Sequence, residues 1–141
     1  MDETSIPVRR CQQLEVWHRA HQLVLGVYLL SRWLPEEERT QLSAELRCAA
    51  VSIPANILAG LRGDGSVERM RAYDLAQASL EELRYYLMVC RDLGFDLQYG
   101  VVEGESEQVA TLLSGLMSAA HGQHHGSEPG LDSGLEVGPV L

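Results

Sequence analysis

The sequence predicts an all-α chain, an antiparallel up-and-down bundle of four helices with a kinked second helix, assembled as an oligomer. Three observations lead there. Four segments carry apolar residues at helical spacing, the links between them are short and rich in Gly or Pro, and the first two helices are apolar over more than one face. At 141 residues the chain has room for one core.

Residues 1–11 are polar, contain Pro7, and are expected to form a short arm. The first helix should run from about Gln13 to Leu34 with two apolar stripes. Leu14, Trp17, His21, Val24 and Tyr28 form one; Val16, Ala20, Leu23, Val27, Leu30 and Leu34 lie beside them. Such width exceeds what one small bundle covers. Trp17, Leu23, Val27 and Leu30, with Tyr86 of the third helix, are therefore the candidate oligomer interface.

Leu34-Pro35-Glu36-Glu37-Glu38 reads as a turn and restart, with Pro and acids where a helix N-terminus favours them. The second helix runs to about Leu61 straight through Pro54, which lacks an N–H and crowds the Ala50 carbonyl. A bend there costs about 3 kcal/mol. Arg62-Gly63-Asp64-Gly65-Ser66 breaks the helix, and Ser66 offers a cap to the next. The third helix spans about Val67 to Leu93 and ends at Gly94. Its core stripe is Tyr73, Ala76, Leu80, Leu83, Leu87 and Cys90; a second stripe contains Ala72, Leu75, Ser79, Glu82, Tyr86 and Val89. A fourth helix starts near Asp96–Leu97, with Gly100 and Gly104 weakening its first half. Residues 12–120 thus form the bundle, and 121–141 are expected to be a disordered acidic, Gly-rich tail.

Net charge is −9, and residues 101–141 hold six acids and no base. That balance disfavours a broad nucleic-acid surface. All eleven basic residues are Arg, which excludes lysine nucleophiles and Schiff bases. The uninterrupted apolar runs are shorter than a membrane span, the start lacks a signal-peptide pattern, and three scattered cysteines make no framework. A cytoplasmic location without membrane contact is expected.

Candidate sites are few. Glu15 and His18 have the Glu-x-x-His spacing of di-iron bundles, which need two such motifs and two further carboxylates; this chain has one. His121, His124 and His125 lie in Gly-rich chain without a fixed geometry. The Arg62–Ser66 loop lacks the Lys-Ser/Thr ending of a phosphate loop. Neither a metal nor a cofactor is expected. Arg47, Asn56, Ser79 and Glu82 are polar on otherwise apolar stripes, and they are expected to satisfy one another near the Pro54 bend, with Glu82 buried against the Arg47 fork. No nucleophile and base accompany them, so no enzyme is expected. Cys48 and Cys90 read as apolar fillers at core positions, and Trp17, Trp33 and Tyr28 as core or interface anchors.

The run Leu46-Arg47-Cys48-Ala49-Ala50-Val51-Ser52-Ile53-Pro54-Ala55-Asn56-Ile57 closely resembles the signature of the four-helix-bundle proteins encoded in intervening sequences of large-subunit ribosomal RNA genes. Leu14-Glu15-Val16-Trp17, the third-helix set Ala76, Ser79, Leu80, Glu82 and Leu83, Asp92-Leu93-Gly94-Phe95 and Leu113-Ser114-Gly115-Leu116 are similar to that family in the same order. The resemblance covers residues 12–120. It implies a ring-like homopentamer, and it extends to the accessory proteins of diversity-generating retroelements, which engage a reverse transcriptase and nucleic acid. Cys48 and Ala59 depart from it, standing where the family usually has a basic residue and Glu. Two functions are expected to compete: a non-enzymatic homo-oligomeric scaffold or adaptor for another protein, and a nucleic-acid-associated accessory factor using Arg9, Arg10, Arg19, Arg39 and Arg62 from several copies.

Overall fold

A computed structural model describes residues 8–127, with side chains placed over 14–122. It contains four long helices, α1 (Val8–Ser31), α2 (Gln41–Leu61), α3 (Ser66–Asp92) and α4 (Tyr99–Ser127), and no strand among the described residues.

The helix ends differ from the sequence reading in ways local chemistry explains. α1 begins at Val8, so the arm predicted over 1–11 overlaps its first turn; residues 1–7 lie outside the described residues. It stops at Ser31 because the next three amides, Arg32 to Leu34, each bond three residues back, tightening the chain ahead of Pro35. The acids after Pro35 make one 3-10 turn, Glu36–Glu38, and α2 restarts only at Gln41. α3 starts one residue early. Gly65 is its N-cap, and Ser66 is already helical. The Asp64 amide donates to Glu68 across that turn, at 3.2 Å. At the far end Gly94 takes φ +83°, its amide donates to Arg91 O, and Phe95 N donates to Cys90 O. These two bonds form a Schellman cap, the arrangement that glycine enters most readily.

α4 begins at Tyr99, two residues later than predicted, after Leu97 N and Tyr99 N close two tight turns. It runs unbroken past Gly100 and Gly104. It also continues to Ser127 where a tail was predicted from residue 121; residues 128–141 lie outside the described residues. Buried residues on the bundle side, Val102, Val109, Leu113, Leu116 and Ala120, supply the packing that offsets the glycines' weak helix preference.

α1 and α3 each pack against both α2 and α4. The pairs run antiparallel. Going from Glu45 to Ser52 on α2, the partner on α3 moves back from Tyr86 to Ser79. Arg84 and Arg91 of α3 likewise meet Ser106 and then Glu103 of α4. The α1–α4 groove runs from Glu15 beside Leu112 to Trp33 beside Gln98. Short links make this the only economical order for four neighbours.

The core is continuous and built chiefly of aliphatic residues, with Tyr73 its largest fully buried side chain. Pro54 is buried inside α2, which stays helical on both sides of it. At Gly60 the backbone approaches Tyr73 so closely that a Cβ would lie 2.2 Å from Cε1. By length and composition α2 could cross a membrane, although Glu45 and Arg47 interrupt its apolar residues. Its apolar character has a different use here, since Leu46, Ala50, Ile53 and Ile57 fill the bundle centre.

Candidate functional site

With the core filled, the chemistry lies on the flanks of α2, and the polar set predicted there divides in two. On the α1 side, the Arg47 guanidinium stacks over the Tyr28 ring, 4.5 Å from its centroid, and Nε donates to Ser31 Oγ at 2.9 Å. Ser31 is itself buried and donates to Tyr28 O at 3.0 Å. These contacts consume Nε and one ring face. The two terminal NH2 groups of Arg47 have no carboxylate partner among the described residues. On the same flank of α2 lie Val51, one turn on, and Leu58, three turns on, both 42–44% exposed, beside Tyr28. Trp17 stacks parallel to His21 at 5.5 Å on the same side of α1.

On the α3 side, the Ser52 hydroxyl is 2.5 Å from Ser79 Oγ and 3.1 Å from Ala49 O; its one proton serves either acceptor. Asn56 Nδ2 donates to Ser52 O at 2.8 Å. Further along, the Tyr86 hydroxyl reaches two carboxylates, Glu82 Oε2 at 2.8 Å and Glu45 Oε1 at 3.2 Å. The hydrogen bond to Glu82, then burial and Glu45, hold the phenol far above its ordinary value of 10.0. It therefore stays protonated, with one proton for two acceptors.

The Arg47–Glu82 pair does not form within the chain. Glu82 is exposed and bonds Tyr86, whereas Arg47 is half-buried on the opposite flank of α2. The reason is rotational. Helical spacing puts Glu82 on one stripe with Ser79 and Tyr86, but that stripe is the rim of the α2–α3 seam, so its outer member meets water. Asn56 and Ser79 share Ser52 as neighbour and touch neither charged residue.

The interface candidates divide as well. Leu23, Val27 and Leu30 are core residues, at most 4% exposed, and the chain covers them itself. Trp17 and Tyr86 remain partly exposed. What α1 leaves uncovered is Leu25 and Leu29, which the sequence reading left unassigned, together with Trp33, 74% exposed, and Leu14 and Tyr28. Cys48 is exposed instead of filling the core; Cys90 is buried, and burial pushes its thiol up.

The five arginines considered for nucleic acid are not gathered. Arg19 is half-buried in the α1–α4 groove with Glu15 and Glu107, and Arg39 and Arg62 flank opposite ends of α2, about 30 Å apart at 1.5 Å per residue. The side chains of Arg9 and Arg10 lie outside the described residues. Glu15 and His18 are both exposed, and the described residues contain no group of three His, Cys, Asp or Glu able to hold a metal ion. The side chains of His124 and His125 lie outside the described residues.

Sequence reasoning missed Ser31, Glu45 and Ser52. Ser31 had a signal, since it follows Val24 and Val27 at spacings of seven and four on a stripe that is otherwise apolar.

Comparison with known proteins follows the same outline. A family model described as 23S rRNA-intervening sequence protein matches residues 12–115. Among solved structures, a protein of unknown function from the S23 ribosomal protein family of Bacteroides thetaiotaomicron is similar in fold, with a TM-score of 0.70 at 16% identity, covering 76% of this chain and 98% of that one. No curated protein matches.

Proposed function

The chain belongs to the 23S rRNA-intervening sequence protein family, and from that premise we propose that it is a non-enzymatic scaffold or adaptor, a homo-oligomer acting in the cytoplasm. The observation that carries this reading is the apolar surface left open around α2 and α1. Tyr28, Val51 and Leu58 lie on one flank of α2, Leu75 and Tyr85 on the α3 side, and Leu25, Leu29 and Trp33 on α1. From Cys48 to Leu61 α2 carries no charged side chain at all. Exposed apolar side chains on several faces supply the separate surfaces that association between copies would use. Five copies in a ring is the closure that the family resemblance supplies, and a head-to-tail contact using different flanks is the type that makes rings.

Light scattering coupled to gel filtration tests the reading. A particle of several chains at micromolar concentration is expected, and substituting Val51 and Leu58 together by Asp should yield monomers with helix content retained. A monomeric unmodified chain overturns it. The resemblance to accessory proteins of diversity-generating retroelements supplies the competing role. RNA retention that weakens steeply with salt, or co-purification with a reverse transcriptase, would favour that role over a scaffold.

A further inference from the structure

We infer that the copies are registered by an ion pair between chains, the Arg47 guanidinium of one copy entering the carboxylate pair Glu45 and Glu82 of the next. This rests on the oligomeric reading above and adds to it the residues that set partner choice and direction.

Three features of the single chain point to it. First, the charges are uncompensated at home. Arg47 is held by Ser31 and Tyr28 with both terminal NH2 groups unspent, while Glu45 and Glu82 share one phenolic proton and have no cation partner among the described residues. An Arg fork and two carboxylate acceptors are geometric complements.

Second, they lie on opposite flanks at one height. Arg47 and Glu45 are two residues apart on α2, which is about 200° around the axis and about 3 Å along it. The register that sets Tyr86 beside Glu45 and Ser79 beside Ser52 puts Glu82 level with residue 49 of α2. Arg47 is thus level with the middle of the pair. Copies joined through these flanks repeat with almost no rise along α2, the condition for a closed ring in preference to a climbing filament.

Third, each charge is set in apolar surface. Tyr28 stacks on Arg47, Val51 follows it by one turn of α2 and Leu58 lies further along the same face; on α3 Tyr85 stands about one turn from Glu82, with Leu75 two turns back on the same face. Covering Arg47 with an apolar partner would strand a charge, which is strongly unfavourable. A partner that brings carboxylates removes that penalty. A two-fold dimer through either flank would instead place like charges face to face.

The sequence makes a direct test available, because the chain has no lysine. Arg47→Lys introduces a single side-chain amine. Mixed 14N- and 15N-labelled chains, refolded together and treated with a carbodiimide, should give mixed-isotope peptides joining position 47 to Glu82 or Glu45. Links from position 47 only to other carboxylates, or only within one chain, in a sample that light scattering finds assembled, overturn the inference while leaving the scaffold reading intact. A monomeric unmodified chain overturns both. Charge reversal gives a second arm, read with circular dichroism to verify helix content. Arg47→Glu or Glu82→Arg alone should weaken assembly about 100-fold, and the two together should return it to within about tenfold. Single variants that assemble like the unmodified chain, or a double variant no better than either, overturn the pairing.

Discussion

Replacing Gly60 by Ala probes the closest approach made at any glycine among the described residues. On helix preference alone the change should stabilise α2 by about 1 kcal/mol. The neighbouring ring reverses that. A Cβ at position 60 would stand 2.2 Å from Tyr73 Cε1, 2.7 Å from Cδ1 and 2.8 Å from Cζ, whereas ordinary contact begins near 3.4 Å. Something must shift by more than 1 Å. Tyr73 is fully buried and cannot swing outward, so either the ring leaves its rotamer or α2 moves away from α3. Overpacking of this kind costs about 1–3 kcal/mol, and more when both neighbours are rigid. With both neighbours rigid the cost stands at about 3 kcal/mol or more, so the net expectation is a loss of about 2 kcal/mol, roughly 5–10 °C in midpoint for a chain of this size. Thermal and urea unfolding followed by circular dichroism, at matched protein concentration, measure it. Tyr73→Leu removes the ring and by itself leaves a cavity worth about 2–4 kcal/mol. Combined with Gly60→Ala it should fall short of the summed losses by about 1 kcal/mol or more. A Gly60→Ala variant as stable as the unmodified chain, or strictly additive losses, would refute the contact.

Two further outcomes follow from burial and charge. Cys90 and Tyr99 are pushed above their ordinary values of 9.0 and 10.0 mainly by burial, and Tyr86 mainly by its hydrogen bond to Glu82. Each folded group holds its proton longer than the unfolded one. Their contribution is complete below about pH 9 and declines as pH rises past it, so the urea midpoint should be lower at pH 10 than at pH 8; an unchanged midpoint would contradict the shifts. Thiol labelling of the native chain, mapped by peptide, should modify Cys48 at least about tenfold faster than Cys90, because only the former is exposed and the latter resists thiolate formation. Equal rates would mean that the end of α3 is not packed as described.

How much of this could be read beforehand depended on whether a feature was local. The four helices, their short links and the Gly94 stop are local, written in spacing and in glycine and proline placement, and they emerged with end points displaced by a few residues. Which part of a broad apolar face meets a neighbour is not local. α1 was correctly read as apolar over two stripes, yet the stripe of Leu23, Val27 and Leu30, assigned to an oligomer contact, is the one the chain buries itself. Spacing gives the width of a face without its centre. Glu82 failed for the same reason, since its stripe partners Ser79 and Tyr86 are half-buried and it lies one step further out. The link from Ser31 to Arg47 joins two helices across a turn, and no periodicity within either helix announces it.

The uncharged stretch of α2 has a consequence for synthesis as well as for the finished bundle. Leu61 leaves the ribosome 31 residues before the end of α3 at Asp92, an interval of roughly 2–6 s at about 5–20 residues per second. Through that interval α1 alone is complete enough to shield α2. The side waiting for α3 carries Ser52 and Gly60 at its contact points and Glu45 near its start. Small and polar groups interrupt that face, leaving Ile53, two turns before Gly60 on the same side, as its main apolar residue until α3 arrives. Chain order and side-chain choice thus act together to carry the most apolar helix safely through its least protected moment.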